Sequence, residues 1–244
     1  MGSFRTLITR AIRDGIQLPR NNMPGVAFPL LGEVKTVAVR VTDVDPDDAS
    51  NHTRAEEEGM RQAELWFRFV RDYVPGFQGC RISETPATIG IRETNHLVGE
   101  YVLTAEDLLS GRGFEDTIGM GGYHLDIHTP DDPSSGELRQ PLAYQMPFRA
   151  LLPRGVDRLL VAGRAVSATH DAMASTRVIP IGMVQGQAAG TAAALAAARG
   201  CSPRDLAVNE LQDALRAQGA LLTPDDSPGE RISIPTRART GSSL

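Results

Sequence analysis

Residues 178–198, between Arg177 and Arg199, form a run of 21 without a charge, VIPIGMVQGQAAGTAAALAAA. Few architectures can accommodate such a run. Gly182, Gly186 and Gly190 are four apart, so a helix over the run puts all three on one face, with no side chain to hold a neighbour away. The expectation is a helix pressed against a sheet by its glycines, its N-terminus aimed at an anion. The length also suits a membrane span, and G-x-x-x-G packs such spans. Against that, Gln185 and Gln187 lie near the centre, Pro180 lies near the start, and eight of residues 188–198 are alanine. A buried helix of a protein with no membrane contact is the reading preferred.

Just upstream, residues 157–164 read DRLLVAGR, a buried strand over 159–162 running into a glycine turn. Strand, glycine turn and small-residue helix together suit a nucleotide cofactor. Yet the G-x-G-x-x-G fingerprint occurs nowhere in the 244 residues. One half of a cofactor site is expected here, and the other half is missing from the sequence.

The bulk numbers exclude some classes. A net charge of -5 argues against a general nucleic-acid surface. Cys80 and Cys201 are far apart and form no zinc pattern, and the first residues lack the apolar run of a signal peptide. A reducing cytoplasm is the expected setting.

Along the chain, residues 1–32 read as irregular, broken by Pro19, Asn21, Asn22, Pro24, Gly25 and Pro29. Residues 34–44 alternate and predict a half-buried strand. Thr53, with Glu56 three residues on, predicts the cap of a helix to about Tyr73, its stripe formed by Leu65, Trp66, Phe69 and Val70. Thr104 with Asp107 predicts a short capped helix, and residues 144–151 a strand leading into a turn. Ser202 and Pro203 predict the start of a last helix, running to about Gln218 with Gly219 closing it.

Five segments in order, RETNHLVGEYVLTAED (92–107), FEDTIGMGGYHLDIHTP (114–130), YQMPFRALLP (144–153), LLVAGRAVSATHDAMASTRV (159–178) and GMVQGQAAGTAAA (182–194), resemble the FAD-dependent oxidoreductase family with a glutathione-reductase-like FAD fold. The resemblance covers roughly residues 30–222. Where the family often carries arginines after R-E-T, this chain has Asn95 and His96. It implies an α/β fold: a partial FAD-binding domain, over residues 151–222, and a substrate domain with a mixed or antiparallel sheet, over 1–150. Residues 223–244 would be a tail. The chain then looks like the C-terminal portion of such an enzyme: a truncated product, a misplaced start, or one subunit of a split enzyme whose partner chain carries G-x-G-x-x-G. The function implied is transfer of hydride or electrons between a small organic substrate and FAD. The alternative is a non-catalytic remnant or a partner-binding subunit of a flavoenzyme.

The same resemblance assigns Ala162, Gly163 and Arg164 to the ribityl and pyrophosphate part of FAD. It assigns Gln185, Gly186, Gln187, Ala188 and Ala189, at or near the start of the long helix, to the flavin. His170 and Arg177, between strand and helix, are the candidate catalytic residues, His170 because its reference pKa lies near neutrality; a purely structural histidine is the competing reading. His124, Asp126 and His128 alternate, so a strand points all three one way. A face turned to substrate is preferred over a metal site, and Tyr144 is expected to line the same pocket. Arg92-Glu93 is read as a buried ion pair, with binding of an acidic substrate group as the alternative.

Overall fold

Two hydrophobic clusters organise the chain. The computed structural model describes residues 4–45, 47–127, 137–139 (backbone only), 141 and 143–226. The first cluster joins α1 (Arg5–Arg13) to α2 (Ala49–Tyr73), bringing Ile8 and Ala11 against Trp66 and Phe69, with Ala38 and Val74 closing it. Between the two helices a hairpin forms from β1 (Gly25–Phe28) and β2 (Glu33–Thr36). Residues 1–32 are therefore not irregular throughout. Apolar residues at 4, 7, 8 and 11 have helical spacing, and that stripe outweighs the breakers that follow it. The strand expected over 34–44 is only four residues long, because its sole partner among the described residues is the short β1.

The cap of α2 is Asp48, not Thr53. Asp48 Oδ1 accepts from the Ser50 backbone N–H at 2.8 Å, while Thr53 lies inside the helix, its hydroxyl donating to the Ala49 carbonyl at 3.2 Å. The first turn thus begins as soon as a carboxylate can take up a free N–H.

The second cluster runs from Leu103 to Leu222, on both sides of position 150. It gathers α3 (Ala105–Ser110), β3 (Thr117–Gly121), β4 (Leu125–Ile127), β6 (Tyr144–Pro147), α4 (His170–Thr176), α5 (Ile179–Arg199) and α6 (Val208–Ala217); β5 (Glu137–Arg139) joins through its backbone. β3 pairs antiparallel with β6, and β4 with β5. The fold is mixed α/β with small antiparallel sheets. Thr104 and Asp107 form the expected reciprocal capping box on α3. After β6 the chain tightens into a 3₁₀ turn over Phe148–Leu151 in place of further strand. Ser202 makes no cap bond; its hydroxyl donates to Asp157, and α6 starts only at Val208.

Two expectations about the long helix and its strand change. α5 buries Ile181, Gln185, Ala188, Ala192 and Ala196, but the glycine face is open: a Cβ added at Gly182, Gly186 or Gly190 would meet nothing within 4 Å. The close approach to the sheet depends on β3's glycine, since a Cβ on Gly119 would collide with Val184. Residues 159–162 form no strand. Ala162 is extended, and Val161 N–H donates to the Leu151 carbonyl at 2.9 Å, but no ladder continues from there. A strand needs a neighbour along its length, and the described residues supply none. No single helix among the described residues is long and apolar enough to cross a membrane.

Candidate functional site

α4 and α5 meet at an angle of 93°, with Arg177 and Val178 at the elbow. The bend has local causes. Pro180 suits the first turn of a new helix, and it could not continue α4: it has no N–H to give the Thr176 carbonyl, and its ring would clash with that carbonyl. The bend opens a cleft of about 460 Å³. Gly163 and Arg164 line one side, Thr176, Arg177 and Val178 the elbow, and Ile179 and Gly182 the first turn of α5.

That first turn carries no side-chain cap and no acidic residue. Its free N–H groups and the positive end of a 21-residue helix therefore border the cleft. Gly163 has φ +80°, a region that favours glycine, and a Cβ there would meet nothing within 4 Å. Its N–H donates to Gln185 Oε1 at 2.7 Å. Because that N–H is a donor, the amide of Gln185 must turn its oxygen to Gly163, and Nε2 is left buried without an acceptor.

On the other side of the elbow, Glu93 holds three cations or potential cations. Its side chain is 15% exposed. Oε1 lies 2.8 Å from His170 Nδ1, and Oε2 lies 3.3 Å from an Arg177 guanidinium nitrogen. His96 Nε2 is 3.1 Å from Oε1 but out of line for a hydrogen bond. His96 is oriented instead by Nδ1, which must donate to the Ala168 carbonyl at 2.9 Å. Arg177 reaches on to the Asp126 carbonyl at 2.9 Å, while Arg92 pairs with the Asp126 carboxylate at 3.0 Å. Burial first, then the charge of Arg92, draws Arg177 below the usual arginine value. Its guanidinium remains charged all the same.

The sequence-predicted residues divide three ways. His170 and Arg177 are brought together, through Glu93. Gly163 and Arg164 lie on the cleft, with Ala162 directly before them. Gln185 to Ala189 do not start the helix, which begins two turns earlier at Ile179. Gln185 is buried against Gly163 and Ala188 is sealed in the core, while Gln187 is exposed and bonded to Gln218 at 3.1 Å. Gly186 lies on the open glycine face and Ala189 packs partly against the core.

Three other expectations are corrected. Tyr144 lines no open pocket: it is fully buried, its hydroxyl 2.7 Å from Ser175 Oγ, and burial pushes it up to about 12. Arg92 and Glu93 do not pair with each other, because neighbours in an extended segment point apart. His124 precedes β4 rather than sharing its face with Asp126, and stacks on Tyr123 with ring centroids 4.0 Å apart. His128 lies outside the described residues. Glu93 is the residue that sequence reading placed in the wrong pair. The only sequence signal for its role was its proximity to His96, three residues on.

A family model described as FAD dependent oxidoreductase matches residues 3–215. The match covers most of the 244 residues, and the chain belongs to that family, whose cofactor is FAD. Neither the curated proteins nor the solved structures contain a match.

Proposed function

We propose that this chain supplies the flavin-facing and substrate-facing part of an FAD-dependent oxidoreductase acting on a small organic molecule, in a glutathione-reductase-like arrangement and a cytoplasmic setting. The observation that carries the reading is the cleft at the α5 N-terminus, with Arg177 in its lining and Glu93 and His170 linked to it through Arg177. The residues present fit the flavin end of the cofactor: an open glycine at 163, uncapped helix N–H groups, and the orphaned Nε2 of Gln185 beside them.

When bound, FAD supplies the two-electron chemistry. The chain's own residues do the rest. Gly163 lets the ligand approach the backbone, and Arg164, exposed on the rim, offers a charge to the phosphate side. The positive end of α5 favours negative charge in the cleft. Arg177 holds Glu93 in place. Glu93 in turn fixes His170 through Nδ1, so that Nε2 is the nitrogen left to hold or release a proton at the substrate.

The dinucleotide-binding half, with its G-x-G-x-x-G turn, has no counterpart in this sequence. We infer that it docks on the uncovered side of α5, where Ile179 and Met183 are 78% and 68% exposed in an uncharged helix. The test is flavin titration of the purified chain, followed by quenching of flavin fluorescence. Weak or absent binding alone, and tight binding once a G-x-G-x-x-G polypeptide is added, is the expected result. A yellow chain holding FAD one-to-one by itself would refute the division of the site. A colourless chain that stays so with every such partner would favour the non-catalytic reading.

A further inference from the structure

The hairpin of β1 and β2 takes no part in the cleft, and a two-stranded sheet is at best marginally stable alone in water. All of its strand residues are exposed except Gly25, which is half-buried, so neither face of the hairpin packs on the rest of the chain. It nonetheless presents Val26, Phe28 and Val34 to solvent, and at its ends Leu31 and Val37, 69% and 63% exposed. No third strand joins it among the described residues, so β1 and β2 are both edges.

The register fixes which backbone groups are free. Val37 N–H donates to the Pro24 carbonyl at 2.9 Å, and hydrogen-bonded pairs recur at every second residue of an antiparallel ladder. Val26 with Lys35 and Phe28 with Glu33 are therefore bonded pairs, while the N–H and C=O groups of Val34 and Thr36 point away from β1. Among the described residues no group outside the hairpin takes them up. Glu33 and Lys35 flank Val34, are both exposed, and have no ion-pair or hydrogen-bond partner for their side chains among the described residues. Edges kept from association commonly carry lysine, which repels its counterpart in a second copy. Glu-Val-Lys does the reverse: laid antiparallel on itself about Val34, it sets each Glu33 opposite a Lys35.

We propose that the free edge of β2 recognises a second copy of this chain, the two β2 strands pairing antiparallel about a twofold axis at Val34 into a four-stranded sheet. Val34 exchanges both backbone hydrogen bonds with its counterpart, and Thr36 is set against Gly32 of the second copy. Each Glu33 faces Lys35 of the second copy in a non-hydrogen-bonded pair, the kind in which side chains come closer, so the charges pair on both sides of the axis. The same register carries Leu31, at the end of the turn, to Val37 of the second copy, and covers the two apolar residues that the single chain leaves in water. The neighbouring registers that keep the free backbone groups facing are displaced by two residues. They set Glu33 against Glu33 or Lys35 against Lys35, so the charges select one register. The pairing holds whether or not the cleft takes a flavin.

The test is sedimentation equilibrium of the full chain. A monomer–dimer equilibrium is expected at concentrations up to about 0.1 mM, the range of a small interface. Glu33→Lys and Lys35→Glu each place like charges opposite one another on both sides of the axis, and each should weaken the dimer about tenfold at low salt and less at high salt. The two together restore opposite charges in reverse order and should return the affinity to within about threefold of the original. Val34→Pro removes the outward N–H but no bond to β1, and should abolish the dimer without any change of charge. All these side chains are exposed, so the fold of the single chain does not depend on them. A chain that stays monomeric throughout this range would overturn the proposal. So would a dimer unmoved by both single reversals, or one that the double reversal fails to recover. A dimer that dissociates when a G-x-G-x-x-G polypeptide is added would give the hairpin to that half, and would overturn the proposal too.

Discussion

Asp107 and Glu93 are both largely buried carboxylates surrounded by donors, and they are built in opposite ways. Asp107, its side chain 5% exposed, takes hydrogen bonds from the Thr104 backbone and hydroxyl, from Tyr101 and from Arg112, all within six residues of it. Burial pushes its carboxyl up, but those hydrogen bonds together outweigh burial and leave it below the ordinary aspartate value. Every partner is local, and the result is a closed helix cap. Glu93 draws on His170 and Arg177, 77 and 84 residues away, and one of these, His170, has a side chain 66% exposed. A carboxylate that closes on its own helix holds structure. One that ties two distant elements together and leaves an imidazole in the open holds a site.

Paired amide substitutions test that contrast most strongly. Asp107→Asn should destabilise the chain by about 2 kcal/mol, because it sets an amide N–H₂ against Arg112 in place of a charge partner. Glu93→Gln leaves Arg177 an amide oxygen and the Asp126 carbonyl but no charge partner, and should cost a comparable ~2 kcal/mol. Turnover of the assembled enzyme separates the two: Glu93→Gln should lower it about a hundredfold, with the pH profile displaced, while Asp107→Asn leaves it within a few-fold. Chemical denaturation and steady-state kinetics across pH give both halves. If turnover held in Glu93→Gln as it does in Asp107→Asn, Glu93 would be structural too.

Tyr144 sharpens the same distinction from the core side. Its folded value of about 12 lies above the unfolded 10.0, so the neutral form is the one the fold prefers. The sign follows from linkage. The stabilisation is fully present below pH 10 and declines as pH rises from 10 towards 12, where the unfolded chain has lost a proton that the folded chain keeps. Tyr144→Phe should cost about 1 kcal/mol at neutral pH through the Ser175 hydrogen bond. It should also flatten the alkaline arm of the stability curve. A wild-type chain with no loss between these pH values would mean that the ring is reached by solvent, and a pocket role for Tyr144 would be open again.

What could be read from the sequence follows from how local each feature is. The Thr104–Asp107 box and the long uncharged helix are written in consecutive residues, and both were legible. The α1 stripe at 4, 7, 8 and 11 was equally local, but the prolines and glycines after it hid it. Asp48, the cap of α2, stands in the turn-like run DPDD (45–48), and a turn and a cap use the same side chains. The strand at 159–162 fails for another reason: strand-forming residues make a strand only beside a partner, and the described residues supply none. His170 and Arg177 were visible as candidates on one short segment. Glu93, which joins them, was not, since no spacing rule links residues some 80 positions apart.

The smallest effect expected is on α5, and its sign is what informs. Glycine inside a helix is disfavoured, and at Gly186 a new Cβ would meet nothing within 4 Å. Gly186→Ala should therefore stabilise the isolated chain by about 0.5–1 kcal/mol, raising the thermal midpoint by a few degrees. The three glycines thus do not serve the stability of this chain by itself, and an open face without side chains is useful only when something lies against it. On that argument the same substitution should weaken assembly with the dinucleotide-binding half, because the added methyl group holds it off. Stabilisation together with weaker assembly would mark α5 as a covered helix seen uncovered. Stabilisation with unchanged assembly would move the docking face elsewhere, towards the extended edge at 159–162.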